Sequence, residues 1–135
     1  MLISKIQELI FMIAINLGDL AAYLSKKIGR GTGEQIAGRV ICAISKNAIA
    51  IAAKNKKIIV VSATNGKTSI TRLISSAVEE QQGSVITNAL GANQKAGIIS
   101  ALVSKANTGS EYAVLEVDER SLPAIFNDLS PIILI

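Results

Sequence analysis

Ile58-Ile59-Val60-Val61-Ser62-Ala63-Thr64-Asn65-Gly66-Lys67-Thr68-Ser69 contains the change of period that decides the fold. Its first four residues are β-branched and apolar on every side, as expected of a strand buried on both faces. Beyond the polar stretch, Ile70, Leu73, Ile74 and Val78 recur at helical spacing, which predicts a helix over Ser69–Glu80 that ends at Gly83. Working outward, Ser84–Thr87 reads as a second strand and Ala96–Ser104 as a helix. Tyr112–Val117 reads as a third strand, Ser121–Asp128 as a helix, and Pro131–Ile135 opens a fourth strand. Strands alternating with helices imply an α/β fold with right-handed crossovers and a doubly wound, mostly parallel sheet.

Upstream of this unit the pattern differs. Leu2, Ile6, Leu9, Ile13, Leu17, Leu20, Leu24 and Ile28 recur at spacings of three and four, one face of a helix from about Ile3 to Ile28 weakened by Gly18. Phe11, Met12 and Ile15 broaden the apolar face, and Lys5, Lys26 and Lys27 flank it. Two readings stand: a helix packed on the rest of the protein, or peripheral membrane contact through residues 1–28. The uninterrupted apolar run Leu9–Ile15 is far shorter than the roughly 20 residues of a bilayer span. Glu8, Asp19 and the lack of a small-residue cleavage site set it apart from a secretory leader.

Gly29-Arg30-Gly31-Thr32-Gly33 follows no strand, so it reads as the turn ending the helix rather than as a dinucleotide loop. Glu34–Lys56 has mixed periodicity and is expected to be irregular, apart from a short helix near Lys46–Lys54. The chain then divides into an N-terminal helical segment, 1–56, and a sheet-bearing part, 57–135. An apolar strand at Pro131–Ile135 needs elements after it, so the chain is expected to be the front part of a longer protein.

Composition narrows the chemistry. Of 135 residues, half are apolar and 18% charged, which excludes disorder as the general state. The absence of histidine excludes Ser-His-Asp triads and His-ligated zinc. The single Cys42 excludes an intramolecular disulfide or a multi-cysteine metal site, and a reducing, cytoplasmic setting fits. The net charge of +4 comes partly from Lys26, Lys27 and Arg30 and from Lys54, Lys56 and Lys57. Neither cluster is interleaved with aromatics, so nucleic acid is not expected as a partner. They read as solvated charge, with affinity for phosphate or anionic lipid as the alternative.

The chemistry lies between the first strand and its helix. Gly-Lys-Thr at such a junction is the phosphate-binding corner of P-loop proteins, where successive N–H groups and the helix N-terminus face the phosphates. Gly66 allows a tight turn, Lys67 offers an ammonium to the terminal phosphates, and Thr68 offers a hydroxyl to Mg²⁺. The strict pattern asks for glycine five positions before Gly66, where this chain has Val61. The alternative is a capped strand–helix turn with a chance lysine.

Thr64-Asn65-Gly66-Lys67-Thr68 resembles the ATP-binding motif of the Mur ligase superfamily, although Ala63 stands where that family usually has glycine. Thr87-Asn88-Ala89-Leu90-Gly91-Ala92-Asn93 with Ala96-Gly97, and Ala113-Val114-Leu115-Glu116-Val117-Asp118-Glu119, are similar to one branch of it: the synthetase subunits of lipid II isoglutaminyl synthases. The N-terminal helix, the Gly29–Gly33 stretch and Gly38-Arg39-Val40 match the same branch. The resemblance implies ATP-dependent amidation of the D-glutamate α-carboxylate of the lipid II stem peptide through an acyl phosphate. The ammonia would come from a glutamine amidotransferase partner.

By the same resemblance Lys67 and Glu116 are the catalytic candidates, and Thr68 and Glu116 hold Mg²⁺. Thr64, Asn65, Gly66, Lys67, Thr68, Ser69 and Asn88 line the nucleotide site. Asn88 also reads as a turn cap, and Asp118 and Glu119 as helix N-terminal acids. The branch's zinc ribbon and C-terminal domain are expected only downstream, so the 135 residues alone are expected to be inactive. The other readings are a different P-loop ATPase, an amino-acid-adding Mur-type ligase, and a non-catalytic membrane-peripheral fragment.

Overall fold

A parallel sheet forms around β1 (Lys57–Val61), whose residues after Lys57 are all buried. The computed structural model describes residues 2–29, 33–88, 93–104, 107 and 109–135. Three helices precede the sheet: α1 (Leu2–Lys27), α2 (Glu34–Ile44) and α3 (Ala48–Ala53). After β1 come α4 (Lys67–Gln82), β2 (Val85–Thr87), α5 (Lys95–Val103), β3 (Tyr112–Glu116), α6 (Leu122–Leu129) and β4 (Ile133–Leu134). The sheet order is β2-β3-β1-β4, with every pairing parallel. The α/β, doubly wound sheet predicted from the strand–helix alternation is the fold observed.

The alternation of side chains along β1 divides the core. Ile58 and Val60 join Ala113, Leu115, Ile98, Ile99, Leu102, Ile125 and Leu129, so α5 and α6 cover one face of the sheet. Ile59, Val61 and Val114 face the other way, against Ile74 and Val78 of α4. The connection after β1 therefore runs over one face and that after β3 over the other. β1 and β3 are neighbours, so a crevice opens between their C-terminal ends, the place where ligands bind in open α/β sheets.

Glu34–Ile44 is a regular helix, contrary to the irregular structure expected there. Its core face mixes the small Ala37 and Gly38 with the fully buried Ile41, so it carries little contrast in a hydrophobicity pattern. Gly38 explains why small residues stand there. A Cβ at Gly38 would lie 1.8 Å from the carbonyl oxygen of Ala96, so α2 and α5 cross in backbone contact. The short helix expected near Lys46–Lys54 is α3.

α1 packs through its less apolar side. Phe11, Ala14, Gly18 and Ser25 are buried, whereas Ile6, Leu9, Ile13, Leu17, Leu20 and Leu24 are each 45–58% exposed. The aliphatic stripe that stands out in the sequence thus faces away from the core, the reverse of an ordinary surface helix. As a whole the helix is long and apolar enough to cross a bilayer, although Asn16 and Asp19 interrupt it and its other side is packed.

Candidate functional site

β1 delivers the Ser62–Gly66 loop to the C-terminal edge of the sheet, and α4 begins at Lys67. Gly66 takes φ 78° and ψ 0°, a left-handed conformation that glycine adopts without a steric penalty. No atom lies within 4 Å of where its Cβ would be, so the space in front of the turn is open. Among the described residues the only non-glycine positive φ values are at Asn55 and Ser130. Ala63 therefore fits its place without strain, and the sharp turn falls on Gly66.

The first N–H groups of a helix have no partners within it. In α4 no capping side chain takes them, and no acidic residue stands in the first turn. The 16-residue helix thus presents a free N-terminus to the open space before Gly66, an environment suited to phosphate. Thr64, Asn65, Gly66 and Ser69 are exposed around it, while Lys67 and Thr68 are half-buried.

The Lys67 ammonium donates to the Ala63 carbonyl oxygen and lies 3.3 Å from Glu119 Oε2. Glu119 is held below the usual carboxylate range by a hydrogen bond from its own backbone N–H and then by Lys67. Asp118 turns the other way: its Oδ1 accepts from the N–H of Arg120 at 2.9 Å, and its carbonyl from those of Ser121 and Leu122. Asp118 starts α6, while Glu119 meets the loop lysine.

Glu116 is the last residue of β3, opposite Val61, and only 4% exposed. Thr68 Oγ1 donates to its Oε2 at 2.8 Å, and Asn93 Nδ2 to its Oε1 at 3.2 Å. Asn88 holds the main chain of the same residue, donating Nδ2 to the Glu116 carbonyl and accepting from its N–H, both at 2.8 Å. These bonds extend the β2–β3 pairing by one side-chain rung. Asn88, read from sequence as a cleft residue or a turn cap, fixes the carboxylate from behind.

A buried carboxylate is costly unless charge or hydrogen bonds compensate it. Both donors to the Glu116 carboxylate are neutral, and Lys67 pairs with Glu119 instead. Two oxygens bound side by side to Mg²⁺, at about 2.0–2.1 Å each in octahedral geometry, lie about 2.9 Å apart. The 2.8 Å separation of Thr68 Oγ1 and Glu116 Oε2 is close to that, and both are hard oxygen donors. The residues present fit the ion. Among the described residues there is no group of three or more His, Cys, Asp or Glu side chains that could form a metal cage, so other ligands would have to come from phosphate and water.

Lys67, Thr68 and Glu116 thus meet at the crevice, with Asn88 behind Glu116. Sequence reading did not single out Asn93, which bonds Glu116 and accepts the N–H of Asp118 at 2.9 Å. Its signal was a second asparagine closing the segment that Asn88 opens. Ala89–Ala92, between them, lie outside the described residues, as do Arg30, Gly31 and Thr32.

Comparison with known proteins agrees with this geometry. The family model for the Mur ligase middle domain matches residues 61–132, from the end of β1 to the edge of β4. The MurT subunit of lipid II isoglutaminyl synthase (glutamine-hydrolyzing) from Streptococcus pneumoniae is 36% identical over 116 residues, 84% of this chain and 26% of that protein. Proteins of the same name from two Staphylococcus aureus strains, N315 and COL, are 31% and 36% identical over 87% of this chain and 27% of theirs. The chain spans about a quarter of the length of these relatives. With the family's middle-domain match covering more than half of its residues, and the sheet, crevice and loop built as described, the chain belongs to the Mur ligase family.

Proposed function

We propose that this chain supplies the phosphate-binding corner of an ATP-dependent carbon–nitrogen ligase that amidates lipid II. In this reading 57–135 is the N-terminal part of the ATP-binding domain, and 1–56 is a helical segment in front of it. The γ-phosphoryl group of ATP passes to the α-carboxylate of a stem-peptide D-glutamate, giving an acyl phosphate and ADP. Ammonia attacks the acyl carbon, phosphate leaves, and D-isoglutamine remains. The ammonia comes from a separate glutamine amidotransferase subunit. The relatives' name, a glutamine-hydrolyzing synthase subunit acting on lipid II, supports this reading. The observation that carries it is the Lys67–Thr68 start of α4 facing the Glu116 carboxylate across the crevice.

Phosphoryl transfer depends mostly on positioning and charge stabilisation. The free N–H groups of α4 orient the phosphates, with Thr64, Asn65 and Ser69 around them. Lys67 moves from the Ala63 carbonyl and Glu119 onto the terminal phosphates. Thr68 and Glu116 would hold Mg²⁺, which would offset charge on the transferring group, and Asn88 and Asn93 keep the carboxylate in place. A lipid-linked acceptor places the reaction at the inner face of the membrane, and the outward stripe of α1, with Lys26 and Lys27 in its last turn, serves as the peripheral contact.

Lys67→Ala removes the loop's cation. A charge-assisted contact contributes roughly 1.5–3 kcal/mol, so ATP affinity should fall about ten- to hundredfold while the circular dichroism spectrum is retained. Titration calorimetry with ATP and Mg²⁺ reads the change. An unaltered affinity would refute the assignment of this loop.

A further inference from the structure

Glu119 is the carboxylate that pairs with Lys67 among the described residues, and phosphate binding by the loop gives it no part. The two side chains come from opposite lips of the crevice. Lys67 opens α4 after β1, and Glu119 lies in the turn between β3 and α6. The Lys67 Nζ stands 3.3 Å from Glu119 Oε2, and it also donates to the Ala63 carbonyl. An ammonium has three donors, so this arrangement takes two of them.

The two partners differ in freedom. The main chain beside Glu119 is pinned, because Asp118 accepts from the N–H groups of Arg120, Ser121 and Leu122. The Glu119 side chain is 49% exposed, against 13% for that of Lys67. Its other bond is to its own backbone N–H, which stays with it wherever Lys67 points. Lys67 can thus turn from one anion to another within an enclosed position, while Glu119 can withdraw towards solvent.

We propose that Glu119 is a positioning residue that serves as a displaceable counter-charge: it holds Lys67 on the β3–α6 side, and a terminal phosphate takes the ammonium only by displacing it. The inference rests on the phosphate-binding reading of the loop and adds a regulation of that same site. Carboxylate and phosphate compete for one cation, and the phosphate prevails through its greater charge and its additional acceptor oxygens. A Glu119 that stayed in contact with Lys67 would stand beside the phosphate, where like charges repel. Its withdrawal is therefore part of binding. Its return to Lys67, once the phosphoryl group has moved on, is part of release. A partly exposed ion pair shifts an equilibrium by up to about fivefold, which bounds the effect.

Glu119→Gln keeps the size of the side chain and removes its charge. Titration calorimetry with ATP and Mg²⁺, at about 0.15 M salt, should show binding about three- to fivefold tighter than native. A residue that only supports the turn would loosen binding when replaced. In a Lys67→Ala background the same substitution should change ATP affinity by less than about twofold, because only screened repulsion is left.

A second readout needs no nucleotide. Formaldehyde and cyanoborohydride methylate accessible lysines, and mass spectrometry of the peptide carrying Lys67 follows the rate. Lys67 should react at least about threefold faster in Glu119→Gln than in the native protein, since its charged partner is gone. Unchanged methylation, ATP affinity no tighter than native, or an equal gain in the Lys67→Ala background would each overturn the proposal and leave the phosphate reading of the loop standing. Faster methylation with no ATP binding by either protein would instead overturn that reading, and the displacement with it.

Discussion

Gly66 and Ala63 divide the work of the loop between them. At Gly66 the requirement is a positive φ, with no neighbour close enough to clash with a side chain. Gly66→Ala should therefore destabilise the fold by about 1–2 kcal/mol, the usual cost of a left-handed L-residue. Urea denaturation measures it, and no change would mean that the turn lies elsewhere. Ala63 has no positive φ, so Ala63→Gly should leave ATP affinity within about twofold of native, a difference of about 0.4 kcal/mol. The pairing of Lys67 with Glu119 could not be read from the sequence, because 52 residues separate them. That of Thr68 with Glu116, 48 residues apart, could be anticipated only because a strand end and a helix start converge at a known place in such sheets.

At the scale of elements, legibility followed the contrast between apolar and polar positions. β1, β3 and α4 stood out because Ile58–Val61, Ala113–Leu115 and the Ile70–Val78 positions have a clear period. α2 did not, because two of its buried packing residues, Ala37 and Gly38, serve by absence of bulk and only Ile41 beside them by hydrophobicity. Gly38 is the extreme case: the Ala96 carbonyl lies where a methyl group would go, and backbone cannot yield as a flexible side chain would. Gly38→Ala should cost about 1–3 kcal/mol or more by overpacking, and should widen the α2–α5 crossing next to Arg39. Chemical denaturation tests the first effect and the Cys42 alkylation rate the second. A variant as stable as native would show that the two helices do not cross this closely. α1 was legible as a helix but misleading as to its packed face, since Phe11, Ala14 and Gly18 make a tighter contact surface than the longer aliphatics on the other side.

The whole molecule combines a phosphate-binding crevice at one edge of the sheet with an aliphatic helix face turned outward. If that face meets lipid, Leu17→Asp together with Leu20→Asp should cut sedimentation with anionic liposomes at least tenfold, since charged groups lose more than 1.4 kcal/mol in an apolar interface. These positions are already about half exposed, so thermal stability should hardly change. Equal sedimentation of the variant and native protein would remove the membrane contact. The central claim concerns the other end of the molecule: that the α4 N-terminus and Glu116 act together on phosphate and Mg²⁺. Titrating Mg²⁺ into the protein with ATP present, native against Glu116→Ala, tests it most directly. The account predicts that Glu116→Ala keeps most of its nucleotide affinity but needs about ten- to hundredfold more Mg²⁺ for half-maximal effect, as expected for loss of one charged ligand. A Glu116→Ala titration that superimposes on the native curve would contradict it.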